Sequence, residues 1–155
     1  MYKMENQQLQ SLSNEQFQVL LTGKFGDGCL TTPKNECSNS SYSTNCIHRE
    51  YIEYKKSLLG DLAFEIGYNP KNGYKQSPIF TLVTKKHFLI TDIRKLSLET
   101  GLSFMDDLGL ALWIYDDGSL HKHKYFYNIN TQAFSREIQE DLFVPFFNEW
   151  NIFPK

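Results

Sequence analysis

Leu110-Ala-Leu-Trp-Ile-Tyr-Asp-Asp-Gly118 is an apolar run closed by two aspartates and a glycine. An apolar helix that stops on Asp-Gly says little alone, because both are ordinary turn residues. The chain does it twice, however. Leu20-Leu-Thr-Gly-Lys-Phe-Gly-Asp-Gly28 has the same nine-residue length and the same Asp-Gly ending, and Asp117 follows Asp27 by 90 positions. A unit of three helices of about 11 residues, four strands of about 6 and six loops of about 4 fills about 81 residues. The spacing fits one complete αββαββα repeat.

Working outward, Ser13-x-x-Gln16 has the form of a capping box, and Phe17, Leu20, Leu21 and Lys24 follow at helical spacing. This helix is expected to end at the glycines of GKFGDG (23–28). Residues 29–46, rich in Ser, Thr and Asn, predict a polar hairpin with a long connection. HREYIEYKKSLLGDL (48–62) predicts a helix with Tyr51, Tyr54, Leu58, Leu59 and Leu62 on one stripe and its charges opposite. Asn69-Pro70 and Asn72-Gly73 mark a bend, IFTLVTKK (79–86) is β-rich, and TDIRKLSLET (91–100) predicts one short helix. Ser103-x-x-Asp106 is the expected cap of the second motif helix. SLHKHKYFYNIN (119–130) predicts a small hairpin, and FSREIQEDLFVPFFNEW (134–150) a closing helix strained by Pro145. The expected fold is α+β, with antiparallel sheets packed on helices. A polar, loose segment (1–12) precedes an αββαββα repeat (13–101) and an incomplete second repeat (102–155).

The 155 residues are 41% hydrophobic and 15% aromatic, too apolar for a disordered chain and enough for one compact domain. No apolar stretch reaches the roughly 18 residues of a membrane span, and MYKMENQQLQ has no signal-peptide core. A soluble, cytoplasmic protein without membrane partners is expected. A net charge of −2 and a pI near 6.1 argue against a coat that binds any polyanion. The charge is uneven: residues 48–95 carry nine Lys/Arg against five Asp/Glu, and residues 101–155 carry four against eight. A basic middle of this kind can meet phosphates from one face. Cys29, Cys37 and Cys46 include no Cys-x-x-Cys pair, so free thiols are expected rather than a zinc site with His48.

With both motifs in view, the sequence resembles the LAGLIDADG homing endonucleases, whose name spells the nine-residue element, and in particular their intron- and phage-encoded branch. LALWIYDDGSL (110–120) carries the resemblance. LLTGKFGDGCL (20–30) repeats it, with Thr22 and Gly23 where the family has a small residue followed by an apolar one. His48, Tyr51 and Lys55 of HREYIEYK resemble the family's helix after the first hairpin, and Thr131-x-x-Phe134-Ser135 its entry to the helix after the second motif. The resemblance spans residues 15–152.

It implies that the two motif helices pack together and that each delivers one carboxylate to a shared centre. Neighbouring carboxylates repel unless a divalent cation lies between them. Asp27 and Asp117 are thereby implied as catalytic and metal-binding residues, with Mg²⁺ as cofactor and double-stranded DNA as partner. Such an ion lowers the pKa of a water and offsets charge on the phosphodiester. The glycine after each Asp is expected to free the backbone to turn out of the helix. DNA reading by twisted antiparallel strands makes Thr32, Lys34, Lys75, Lys85, Lys122 and Lys124 the nucleic-acid-binding candidates.

The pattern then breaks. Ser103 follows Asp27 by 76 positions, whereas 38 residues follow Asp117, so the second repeat is expected to lack its second strand pair and to leave an open sheet edge. The lysine that the family carries ahead of its second motif has no counterpart in Thr100-Gly-Leu-Ser103. Three readings stay open. The chain is a fragment completed by a second polypeptide, a degenerate relative without cleavage, or a repurposed protein. In the last case it binds nucleic acid or inhibits a host nucleic-acid enzyme, as a phage counter-defence protein would. A metal-dependent DNA endonuclease from a phage or mobile element is the leading expectation, and a catalytically inactive relative the alternative.

Overall fold

Helix α1 (Asn14–Leu21) opens on the expected capping box: the Ser13 hydroxyl accepts from the Gln16 N–H at 3.2 Å, and Gln16 Oε1 accepts from the Ser13 N–H at 2.9 Å. A 3-10 turn (Thr22–Lys24) carries the chain on to Phe25. The computed structural model describes residues 12–35, 37–70, 77–121 and 126–153. After α1 come β1 (Cys29–Leu30), β2 (Tyr42–Cys46), α2 (Arg49–Leu59), β3 (Gly67–Asn69), β4 (Ile79–Val83), α3 (Phe88–Lys95) and α4 (Leu98–Ser103). A second round starts with α5 (Asp107–Asp117) and continues through β5 (Gly118–His121) and β6 (Phe126–Ile129). It closes with α6 (Arg136–Ile138), a π-helical turn (Gln139–Phe143) and α7 (Val144–Glu149).

The first sheet has the antiparallel order β1-β2-β4-β3, with Thr44 opposite Leu82 and Asn45 opposite Thr81. Among the described residues the second sheet is the β5-β6 hairpin. Strand alternation turns Tyr42, Thr44 and Leu82 into the core, while Ser43, Asn45 and Thr81 lie on the more exposed face. Val19, Leu20 and Leu21 of α1, Ile52 and Leu59 of α2, and Ile90 and Ile93 of α3 form one core with Leu112 and Trp113 of α5. Trp113 is fully buried, its ring 5.1 to 5.3 Å from those of Phe25, Phe143 and Phe147, so the closing helix is clamped onto the second motif helix. No described helix is long and apolar enough to cross a membrane.

Four local expectations are corrected. Tyr54 is 48% exposed, while Ile52 and Lys55 are fully buried, so the inward stripe of α2 includes a lysine. The helix expected over 91–100 is two, because Leu96 leaves helical geometry and the Ser97 hydroxyl caps α4 by accepting from the Thr100 N–H. Asp106, not Ser103, caps α5: its carboxylate accepts from the Gly109 N–H at 3.0 Å, while the Ser103 hydroxyl donates to the Thr100 carbonyl. The closing helix is not uniform: its backbone stays helical from Arg136 to Glu149, and the strain expected of Pro145, which has no N–H for a carbonyl one turn back, is met by the π turn (Gln139–Phe143) directly ahead of it.

Candidate active site at the two motif ends

Asp27 follows the 3-10 turn at the end of the first motif, and Asp117 is the last residue of α5. The fold brings them together closely enough for each carboxyl to act on the other. Burial, and then the charge on Asp27, push Asp117 up to about 6. Trp113 Nε1–H opposes this by donating to Asp117 Oδ2 at 3.2 Å. Asp27 is also raised, by burial and by the charge on Asp116, with Lys55 pulling the other way. Two carboxyls that resist ionising together suit a divalent cation, which relieves the repulsion. Among the described residues no group of three or more His, Cys, Asp and Glu side chains forms a metal cage. An ion held here would have two carboxylates and would complete its shell with water or phosphate oxygens, a donor set that Mg²⁺ accepts.

The two motif glycines are needed for a different reason from the one expected. Gly118 is extended (φ −84°, ψ 144°), so left-handed freedom is not used. A β-carbon there would overlap the Ile114 carbonyl oxygen, and one on Gly28 would overlap the Tyr42 ring. Each glycine exists because the chain leaves the motif too close to its neighbours for any side chain.

A third carboxylate stands beside the pair. Asp116 takes both of its oxygens to the Lys55 ammonium, at 2.7 and 2.8 Å, with the two side chains 2% and 0% exposed. The Tyr51 hydroxyl donates to Asp116 Oδ1 at 2.7 Å, and Lys55 Nζ also donates to the Tyr42 hydroxyl at 3.3 Å. Burial pulls the Lys55 ammonium down, but the oxygens of Tyr42 and Asp116 outweigh it and hold Lys55 above the ordinary lysine range. The charge balance of the centre therefore includes a lysine from α2, which helical spacing alone assigns to the solvated face. Two signals point to it: the resemblance of HREYIEYK to the family's helix, which names Lys55, and the doubled aspartate at the end of an apolar helix, since a second buried charge demands a cation. Asp27, Asp116 and Tyr51 border a cleft of about 1040 Å³ that runs past Asn45, Tyr115 and Tyr127.

The nucleic-acid candidates are scattered. Thr32 and Lys34 are exposed in the connection after β1, where Thr32 Oγ1 accepts from Arg94 at 3.0 Å. Lys85 is exposed just beyond β4. Lys75, Lys122 and Lys124 lie outside the described residues. On the exposed sheet face, Thr81 Oγ1 donates to Asn45 Oδ1 at 2.7 Å, a polar pair that the sequence did not single out.

Protein RecA of Mycobacterium leprae (strain TN) is 31% identical over 116 residues, which is 70% of this chain and 16% of that protein. Protein RecA of Mycobacterium gastri is 28% identical over 134 residues, 83% of this chain and 32% of that one. The chain thus spans a third or less of the length of these relatives. The solved structure of the homing endonuclease I-WcaI bound to its DNA recognition sequence matches 89% of this chain and 68% of its own, with a TM-score of 0.74 at 15% identity. That likeness shows a common fold. The profile of the LAGLIDADG DNA endonuclease family matches residues 17–154, a span holding both motif ends, both sheets and the closing helix, and the chain therefore belongs to that family.

Proposed function

We propose that the protein is a homing-type endonuclease that hydrolyses phosphodiesters of double-stranded DNA, with Asp27 and Asp117 sharing one Mg²⁺. The observation that carries this reading is the interaction of the two carboxyls where the motifs end, each raised above its ordinary range, with Asp27 at the border of an open cleft. When bound, the ion supplies a water of lowered pKa and offsets charge on the phosphate. Trp113 fixes the orientation of Asp117, and the Lys55–Asp116 pair anchors the end of α5 against α2. Asn45 and Thr81 offer amide and hydroxyl groups suited to base edges, and Lys34 and Lys85 offer charges suited to phosphates. Lys75, Lys122 and Lys124 join them as phosphate contacts on sequence grounds.

Duplex DNA as partner is supported by the family and by the DNA-bound state of the I-WcaI structure. Among the described residues the second sheet has two strands and offers less groove surface than the first, which favours a second polypeptide that adds strands beside β6. The test is cleavage of a plasmid library with randomised inserts in Mg²⁺, read by sequencing the cut ends. The expected result is cutting that EDTA, Asp27→Asn and Asp117→Asn each abolish while retention of DNA stays within a few-fold. Cutting unchanged in either variant contradicts the assignment. DNA or protein binding without metal and without any cutting favours the inactive relative.

A further inference from the structure

We propose that Lys55 is a built-in counter-cation that withholds Asp116 from the metal, so that the centre presents two carboxylates to its divalent ion and not three. This rests on the metal reading of Asp27 and Asp117. Three aspartates converge where the motifs meet, and Asp116 borders the same cleft as Asp27. By proximity and chemistry Asp116 is as good a hard-oxygen ligand as its neighbours. It is nonetheless engaged: both oxygens face Lys55 Nζ at 2.7 and 2.8 Å, and Oδ1 also accepts from the Tyr51 hydroxyl.

The first motif is built to accommodate this arrangement. At the position of Asp116 it carries Gly26, where a β-carbon would stand 3.0 Å from both the β-carbon and Oδ2 of Asp116. The two motifs are thus asymmetric at their seventh position. One supplies a carboxylate and the other the room for it. Lys55 then comes from outside both motifs, held from the other side by the Tyr42 hydroxyl and lying 4.8 Å from the Tyr51 ring centre.

A buried ammonium tied into three oxygens acts as a fixed positive charge beside the cation site. Removing it should expose the ion to an uncompensated third carboxylate. A scaffold that had merely been loosened would bind metal more weakly, so the sign of the change separates the two roles.

The experiment is calorimetric titration of the full chain with Mn²⁺ alone, without DNA, comparing wild type, Lys55→Met and Lys55→Met/Asp116→Asn. Lys55→Met should bind Mn²⁺ on the order of tenfold tighter, and the charge-balanced double variant should return to within about threefold of wild type. A folded Lys55→Met that binds no tighter overturns the proposal, as does a double variant that loses the ion, since that would make Asp116 a ligand. If Lys55→Met fails to fold, the double variant decides alone by the same criterion. A wild type that binds no Mn²⁺ ends the metal reading and this inference with it. Wild-type binding without the tightening ends only the inference.

Discussion

Gln18 in α1 and Gly109 in α5 meet with no room for a β-carbon between them: a methyl group on Gly109 would overlap the Gln18 amide oxygen. Gln18 is held in place. It is 2% exposed, its Nε2 donates to the Phe104 carbonyl at 2.9 Å, and its Oε1 accepts from the Asp106 N–H at 3.3 Å. This contact sets the spacing of the two motif helices and, through it, the separation of Asp27 and Asp117.

Gly109→Ala tests that spacing. The substitution gains up to about 1 kcal/mol of helix propensity but overpacks a pinned site, which typically costs about 1–3 kcal/mol. With displaced hydrogen bonds added, a net loss of about 2 kcal/mol is expected in urea unfolding. Unchanged stability would mean that Gln18 moves aside freely.

Asp27→Asn should stabilise the metal-free protein while removing activity. The substitution ends the repulsion with Asp117, a gain of about 0.5–1 kcal/mol at a solvent-screened site, or a few degrees in Tm for a chain of this size. Calorimetry in EDTA at pH 8 checks it. A lower Tm would show that the Asp27 carboxylate makes a favourable contact.

Asp117 predicts a pH dependence of stability. Its folded-state pKa of about 6 lies above the ordinary carboxyl value, so folding takes up a proton between the two. The associated stability is fully present below about pH 4 and is lost as pH rises through about 6. For a group this exposed, screening reduces the contribution to about 1 kcal/mol. The difference in unfolding free energy between wild type and Asp117→Asn should shrink or change sign over that window in EDTA. A flat difference contradicts the raised Asp117 carboxyl.

Trp113→Phe removes the 3.2 Å indole donation to Asp117 and leaves a void among Phe25, Phe143 and Phe147. A loss of about 2 kcal/mol is expected. The carboxyl resonance of Asp117 should titrate at higher pH than in wild type, because a donor to its charged form is gone. Titration at unchanged or lower pH would show that the indole does not favour the ionised carboxylate.

Repetition made the architecture legible: the Ser13 capping box, the two Asp-Gly endings and their 90-residue spacing each correspond to an observed element. Local competition among caps was not legible. Ser97 and Asp106 were better placed than Ser103, and only the path of the chain between α3 and α5 decides that. Asp27 and Asp117 meet because their helices do, as the motif implies. The resemblance names Lys55, but its burial stayed hidden because a lysine on an amphipathic helix faces water by default. Its burial depends on Asp116, which lies 61 residues away. Asn45 and Thr81 were missed for a similar reason, since strand register, and not local composition, pairs them on the exposed face.

The most direct measurement is an anomalous difference map from a crystal of the protein grown in Mn²⁺. One peak between the carboxylates of Asp27 and Asp117 is the predicted result, with Asp116 still on Lys55. The absence of a peak between the two carboxyls, or a peak held by Asp116, would contradict the account.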